Sequence, residues 1–258
     1  MRFKVLLFSA AALFLLPACS EKNDKPDDPG KEEDLAPESV EAVDLGLSVK
    51  WASCNVGATA PEEFGDFYAW ACTYTQSTYS WISYEYNKNH TINIPDIRIL
   101  RYCHKDRENM WGGTGKPDGR MTLRKTDDAA CVNWGGSWRT PTKAEMDELL
   151  KSCDWEWTEQ NGVSGYLVSG KKSGFKDKSI FLPASGYMIY DVHLYEAMIE
   201  PVEAGSYWTS SLYEEPLDDK TEPMYAHSLF FQLKNDKHTL ILGGRDRALG
   251  LTVRPVCD

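Results

Sequence analysis

The chain has 258 residues, 39 acidic side chains against 28 lysines and arginines, and a formal net charge of −11. Nucleic acid is excluded as a partner, because a polyanion needs clustered cations to displace its counterions and no basic stripe exists. Hydrophobic residues make up 42% and aromatics 12%, enough for a proper core in one domain, perhaps with an insertion.

At the N-terminus, Arg2 and Lys4 precede an apolar run from Val5 to Leu16 broken only by Ser9. The run is too short to span a bilayer and reads as a secretion signal, residues 1–18. It closes on Leu16-Pro17-Ala18-Cys19, which resembles a bacterial lipobox. That resemblance implies an acylated Cys19 as the new N-terminus and membrane anchor.

Residues 20 to 43 hold nine acids, three lysines and three prolines. Such a segment stays extended and solvated, so residues 19–42 read as an acidic disordered tether. Polyacid does not bind anionic headgroups, which leaves anchoring to the acyl chains. Acids right after a lipidated cysteine also resemble the export tag of some Gram-negative lipoproteins. The expected location is therefore the outer membrane, facing the exterior, with a plain tether as the alternative.

Taking away the signal (+2) and the tether (−6) leaves −7 for residues 44 to 258. The folded part, 43–258, is mostly strand and turn. VDLGLSVKWASCNV (43 to 56) alternates and predicts two short strands broken at Gly46. FGDFYAWACTY (64 to 74) is strongly β-prone. Residues 75 to 125 are polar and aromatic with clustered glycines, a long insertion. Asp127 or Asp128 is placed to cap a short helix that ends at Gly135.

A second helix starts at Thr142-Lys143-Ala144-Glu145, a capping box. Met146, Leu149, Leu150 and Cys153 follow as one apolar stripe. Strands are predicted at 155–158, 163–169, 179–184, 206–210, 226–233, 238–242 and 249–256. Helices early and many short strands later give an α+β fold with antiparallel sheets. Six cysteines beyond Cys19 (Cys54, Cys72, Cys103, Cys131, Cys153, Cys257) permit disulfides in an exported chain, or remain free and buried as small apolar residues.

The motifs VDLGLSVKWASCNVGA, FGDFYAWA, DDAACVNWGGSWRTPTKAEMDELL, CDWEWTEQNGVSGYLVSG, SIFLPASGY, GSYWTSS and GLTVRPV occur in that order. Together they resemble the Fibrobacter succinogenes major paralogous domain, over nearly all of residues 43 to 256. The resemblance implies a C-type-lectin-like fold on secreted or lipid-anchored bacterial surface proteins, with no established enzymatic activity. GGSW and WEW also look like segments of the formylglycine-generating enzymes. Here, however, Trp134-Gly135-Gly136-Ser137-Trp138 precedes the Arg-Thr-Pro-Thr helix, and no closely spaced reactive cysteine pair precedes the C-terminus.

WGGSWRTPT then reads as a structural corner. Gly135 and Gly136 reverse the chain, Trp134 and Trp138 fill space between helices and sheet, and Arg139 bonds backbone carbonyls or a carboxylate there. Trp208 and Arg254 are assigned structural roles with them. Enzyme motifs are lacking: the five histidines are scattered, without an HExxH or a G-x-S-x-G elbow.

Two surfaces remain as candidates for binding. In the loop 212–225, Tyr213 and Tyr225 suit a sugar face, and Glu214, Glu215, Asp218 and Asp219 offer oxygens to calcium. The Glu-Pro-Asn and Trp-Asn-Asp motifs of calcium-dependent lectins are missing, so no cofactor or metal is expected. In the insertion, Trp81, Tyr84, Tyr86, Tyr102 and Trp111 either form a binding patch or pack down on the sheet. The expected function is a lipid-anchored, non-catalytic binding or adhesion module for glycan or protein ligands. A tip subunit of a surface appendage and a glycan-acting hydrolase are the alternatives.

Overall fold

Asp128 begins the folded frame. It sits just before α1 (Ala129–Trp134), where its carboxylate accepts from the Ala130 and Cys131 amides and closes the orphan donors of the first turn. The computed structural model describes residues 33–93, 97, 99–103, 118–191, 196–200, 203–214 and 224–258. The signal, Cys19 and the tether to residue 32 lie outside the described residues.

The second helix, α2 (Lys143–Ser152), carries the full capping box: Glu145 N–H donates to Thr142, and Thr142 N–H donates back to Glu145. Met146 and Leu149 are buried along its inner face, Cys153 closes the stripe, and Leu150 is half-buried. A short 3-10 turn, Lys125–Asp127, leads into α1.

The rest is antiparallel sheet. β1 (Ala42–Val43) and β2 (Lys50–Ala52) pair with the C-terminal β11 (Val256–Cys257). β3 (Cys153–Gln160), β4 (Val163–Gly170) and β5 (Ser179–Pro183) form a second sheet, and β6 (Tyr187–Asp191) and β7 (Glu196–Glu200) a hairpin. β8 (Ala204–Leu212), β9 (Tyr225–Lys234) and β10 (Lys237–Asp246) form the third three-stranded sheet, with β10 at its edge. Two helices with antiparallel sheets make this an α+β fold.

Alternation sorts that third sheet. Tyr207, Leu229, Phe231, Leu240 and Leu242 face a core shared with Met146, Leu149 and Tyr166. A second core gathers Trp70, Trp134, Trp138 and Trp208 with the insertion aromatics.

Three expectations need correction. The 64–74 run forms no strand: Ala71 has φ 69, and Cys72 N–H turns back to Ala69. Tyr68 instead exchanges an isolated pair of backbone bonds with Leu251, and Trp70 N–H donates to Arg247 O, while their rings fill the core. The strand predicted at 249–256 shrinks to β11, because Gly250, Leu251 and Thr252 bridge three different segments, at Met188, Tyr68 and Tyr207, and no one ladder propagates. The β6–β7 hairpin was absent from the sequence reading.

The composition of residues 33–42 suggests solvated tether, yet this stretch docks. Leu35 N–H donates to Trp134 O, Gly136 N–H to Glu33 O, and Ala42–Val43 is β1. The backbone amides and carbonyls left over at the Gly135–Gly136 turn supply partners that composition does not reveal. All six described cysteines are free thiols, four of them buried.

Candidate functional site

The Trp134–Arg139 corner is built as structure. Gly135 (φ 63) and Gly136 (φ 56) take left-handed conformations, and a Cβ on Gly135 would run into Glu33 O. Trp134 and Trp138 are buried and meet edge-to-face at 5.5 Å. Arg139 forks onto Glu145 at 2.8 and 2.6 Å, so the carboxylate that closes the α2 capping box also ties down the corner. That pairing holds Glu145 below the usual carboxylate range against its burial. Asp128 completes the corner by accepting from Thr140 N–H and hydroxyl, the latter at 2.6 Å.

Two further structural residues behave likewise. Trp208 donates to Tyr68 O at 2.7 Å. Arg254, fully buried, donates to Asn55 Oδ1 and to the Ala52 and Phe181 carbonyls, joining three segments far apart in sequence. Burial among these neutral acceptors pulls its pKa down.

The insertion aromatics pack down rather than forming an open patch. Tyr84 and Tyr102 are fully buried and Tyr86 nearly so. Arg247 is the post they gather on: its guanidinium lies 4.8 Å over Trp70 and donates to Tyr84 Oη and to the Tyr102 and Arg101 carbonyls. Burying these rings removes more apolar area from water than an open loop would, and the Tyr84 and Tyr102 hydroxyls still donate, to Trp70 O and Asp127 Oδ2. Trp111 lies outside the described residues.

Trp81 is the exception that reaches a cavity. Although only 7% exposed, it lines a cleft of about 180 Å³ and donates its indole N–H to Asp246 Oδ2 at 2.9 Å. Asp246 Oδ1 accepts from Ala248 N–H at 2.9 Å. Tyr79, Ile82, Ile92, Ile189 and Leu249 supply the walls, with Ile82 and Ile92 half or more exposed at the rim. Burial against these apolar groups pushes the Asp246 carboxyl up to about 6, despite its two hydrogen bonds and nearby Arg247.

The feet of the second candidate loop stand beside this cleft. Tyr225 is the register partner of Asp246, and Tyr213 N–H donates to Tyr225 O. Tyr213 packs its ring over Gly244 and lies 4.7 Å from the His227 ring. Both tyrosines are half-buried, and Glu214 is exposed. Glu215, Asp218 and Asp219 lie outside the described residues. Among the described residues no group of three or more His, Cys, Asp or Glu is placed to hold a metal ion.

The structure thus brings Trp81, Tyr213 and Tyr225 to one end of β10, although over a hundred residues separate the first from the others in sequence. Sequence reasoning passed over Asp246. In GGRDRALG it sits between two arginines and reads as a solvated turn; its signal is that the charges fall inside an otherwise apolar strand and its continuation. Comparison with protein-family models, curated proteins and solved structures gave no match to this chain. The site's meaning rests on its chemistry.

One carboxyl that titrates near pH 6, set in an apolar cleft beside an indole, is a strong hydrogen-bond acceptor in a low-dielectric setting. It can orient a hydroxyl or amine while the isoleucines and leucine cover the apolar part of a ligand.

Proposed function

We propose that this chain is a lipid-anchored bacterial surface protein whose single C-type-lectin-like domain binds a glycan or protein ligand without catalysis. It is a member, on this reading, of the Fibrobacter succinogenes major paralogous domain group. The anchor is Cys19, and the outer membrane is its place. The observation that carries the binding role is the cleft at the end of β10, where Trp81 and Asp246 meet beside the feet of the 212–225 loop. Recognition sites commonly sit where irregular segments are held by a rigid sheet.

The test is a glycan array probed with the full chain, with and without calcium, alongside detergent partitioning of Cys19→Ala. Saturable binding to a glycan class and loss of the mutant from the detergent phase are the expected results. An array without hits removes the glycan half of the reading, and unchanged partitioning removes the anchor.

The appendage-subunit reading is favoured by one feature. β10 is a ten-residue edge strand of its sheet, with exposed Ile241 on it, and such edges can accept a strand from another chain.

A further inference from the structure

Arg245, on the sheet face opposite the Tyr207–Phe231 core, has no counter-charge among the described residues. Its guanidinium stacks 4.2 Å over the Phe230 ring and lies 5.8 Å from Tyr187. It is half-buried and makes no hydrogen bond or ion pair with the described residues. Burial disfavours its charged form and pulls its pKa down. An arginine held in this state is desolvated, and among the described residues only the two aromatic faces offset that cost.

A second, independent orphan shares its cleft. Ser228 is 1% exposed, its hydroxyl has no partner among the described residues, and with Phe230, Ile241, Gly243 and Gly244 it lines the same space of about 80 Å³ as Arg245. The register explains the convergence. Ser228 faces Gly243, Phe230 faces Ile241, and Ala226 faces Arg245, so all project to one side. Gly243, opposite Ser228, leaves the cleft open: a Cβ there would meet only Ile241, at 3.5 Å.

We propose that this cleft binds the carboxylate of a small acid, either a uronic sugar or a short carboxylic acid. The guanidinium fork takes the two oxygens, the Ser228 hydroxyl donates to one of them, and Phe230 and Ile241 cover the carbon frame. Carboxylate is favoured over phosphate or sulfate because a single arginine matches one planar monoanion bidentately, and no second cation lines the space. The site is separate from the Trp81–Asp246 cleft and does not depend on what that cleft binds.

The test follows the Arg245 Nε–Hε resonance of the full chain by NMR during titration with glucuronate, propionate, glucose and sulfate. A saturable downfield shift with glucuronate alone assigns a sugar acid, and one with both carboxylates assigns the carboxylate group itself. Measured by isothermal titration calorimetry, which needs no Arg245 resonance, Arg245→Met, which keeps the stem on Phe230, is expected to weaken binding at least about tenfold without lowering Tm, since it removes an unpaired charge. Ser228→Ala is expected to weaken it severalfold. No saturable shift with either acid, an equal shift with sulfate or glucose, or unchanged affinity in Arg245→Met would overturn the proposal. A clear drop in Tm for Arg245→Met would also count against it, since the charge would then be structural.

Discussion

Replacing Asp128 by alanine tests the corner more sharply than any change to its aromatics. Asp128 is 4% exposed, and its two oxygens take the Ala130 and Cys131 amides of α1 together with the amide and hydroxyl of Thr140. Losing a helix N-cap costs about 1 kcal/mol. Leaving the Thr140 amide and hydroxyl buried without a partner adds about 1–3 kcal/mol in all. Asp128→Ala is therefore expected to destabilise by about 3 kcal/mol, which lowers Tm by roughly 10 °C in a domain of this size. Guanidinium unfolding followed by tryptophan fluorescence would read it, with Thr140→Val as a partner variant. The two should couple by about 1 kcal/mol in a double-mutant cycle. Asp128→Ala within about 1 kcal/mol of wild type, or strict additivity with Thr140→Val, would refute the clamp.

Trp138→Ala should cost about 3–5 kcal/mol as a buried aromatic deleted from the corner, measured by the same unfolding curves; a change under about 1 kcal/mol would mean the ring is dispensable. Asp246 gives a pH signature: its folded pKa of about 6 lies above an unfolded value near 3.9, so its contribution is fully present below about pH 4 and lost as pH rises to about 6. Asp246→Asn should flatten stability across that window, and the acid-side change in Trp81 emission, with a midpoint near pH 6, should vanish with it. Of the six described cysteines, all free and four buried, only Cys103 and Cys131 are expected to react quickly with a thiol reagent in the native protein. All six should react in denaturant without reductant, and fewer would reveal a disulfide.

Local chemistry was the legible part of the fold. Thr142 and Glu145 announce α2, Asp128 and Gly135 bound α1, and short β-prone runs between turn residues mark β3, β4, β8 and β9, because each depends on residues near in sequence. What failed was non-local. The 64–74 run has strand composition, yet Ala71 turns it and its backbone is split between partners at residues 56, 247 and 251. Residues 33–42 look solvated because nothing in their composition shows that the Gly135–Gly136 turn offers them hydrogen bonds.

The site was half legible. Trp81, Tyr213 and Tyr225 were nominated as members of two separate surfaces, and sequence could not show that β10 unites them. Asp246 and Arg245 were invisible as site residues, since a charge between charges reads as solvent-facing until the packing of Trp81 and Phe230 against them is known.

The most direct measurement of the central claim is the dissociation constant of the best array ligand for wild type, Ile82→Glu and Ile92→Glu. Both isoleucines stand at the cleft rim with 49% and 57% exposure, so folding should survive while a charge enters the apolar wall. The account predicts at least about tenfold weaker binding for both variants with unchanged circular dichroism. Wild-type affinity in both, or chemical turnover of the ligand, would contradict it.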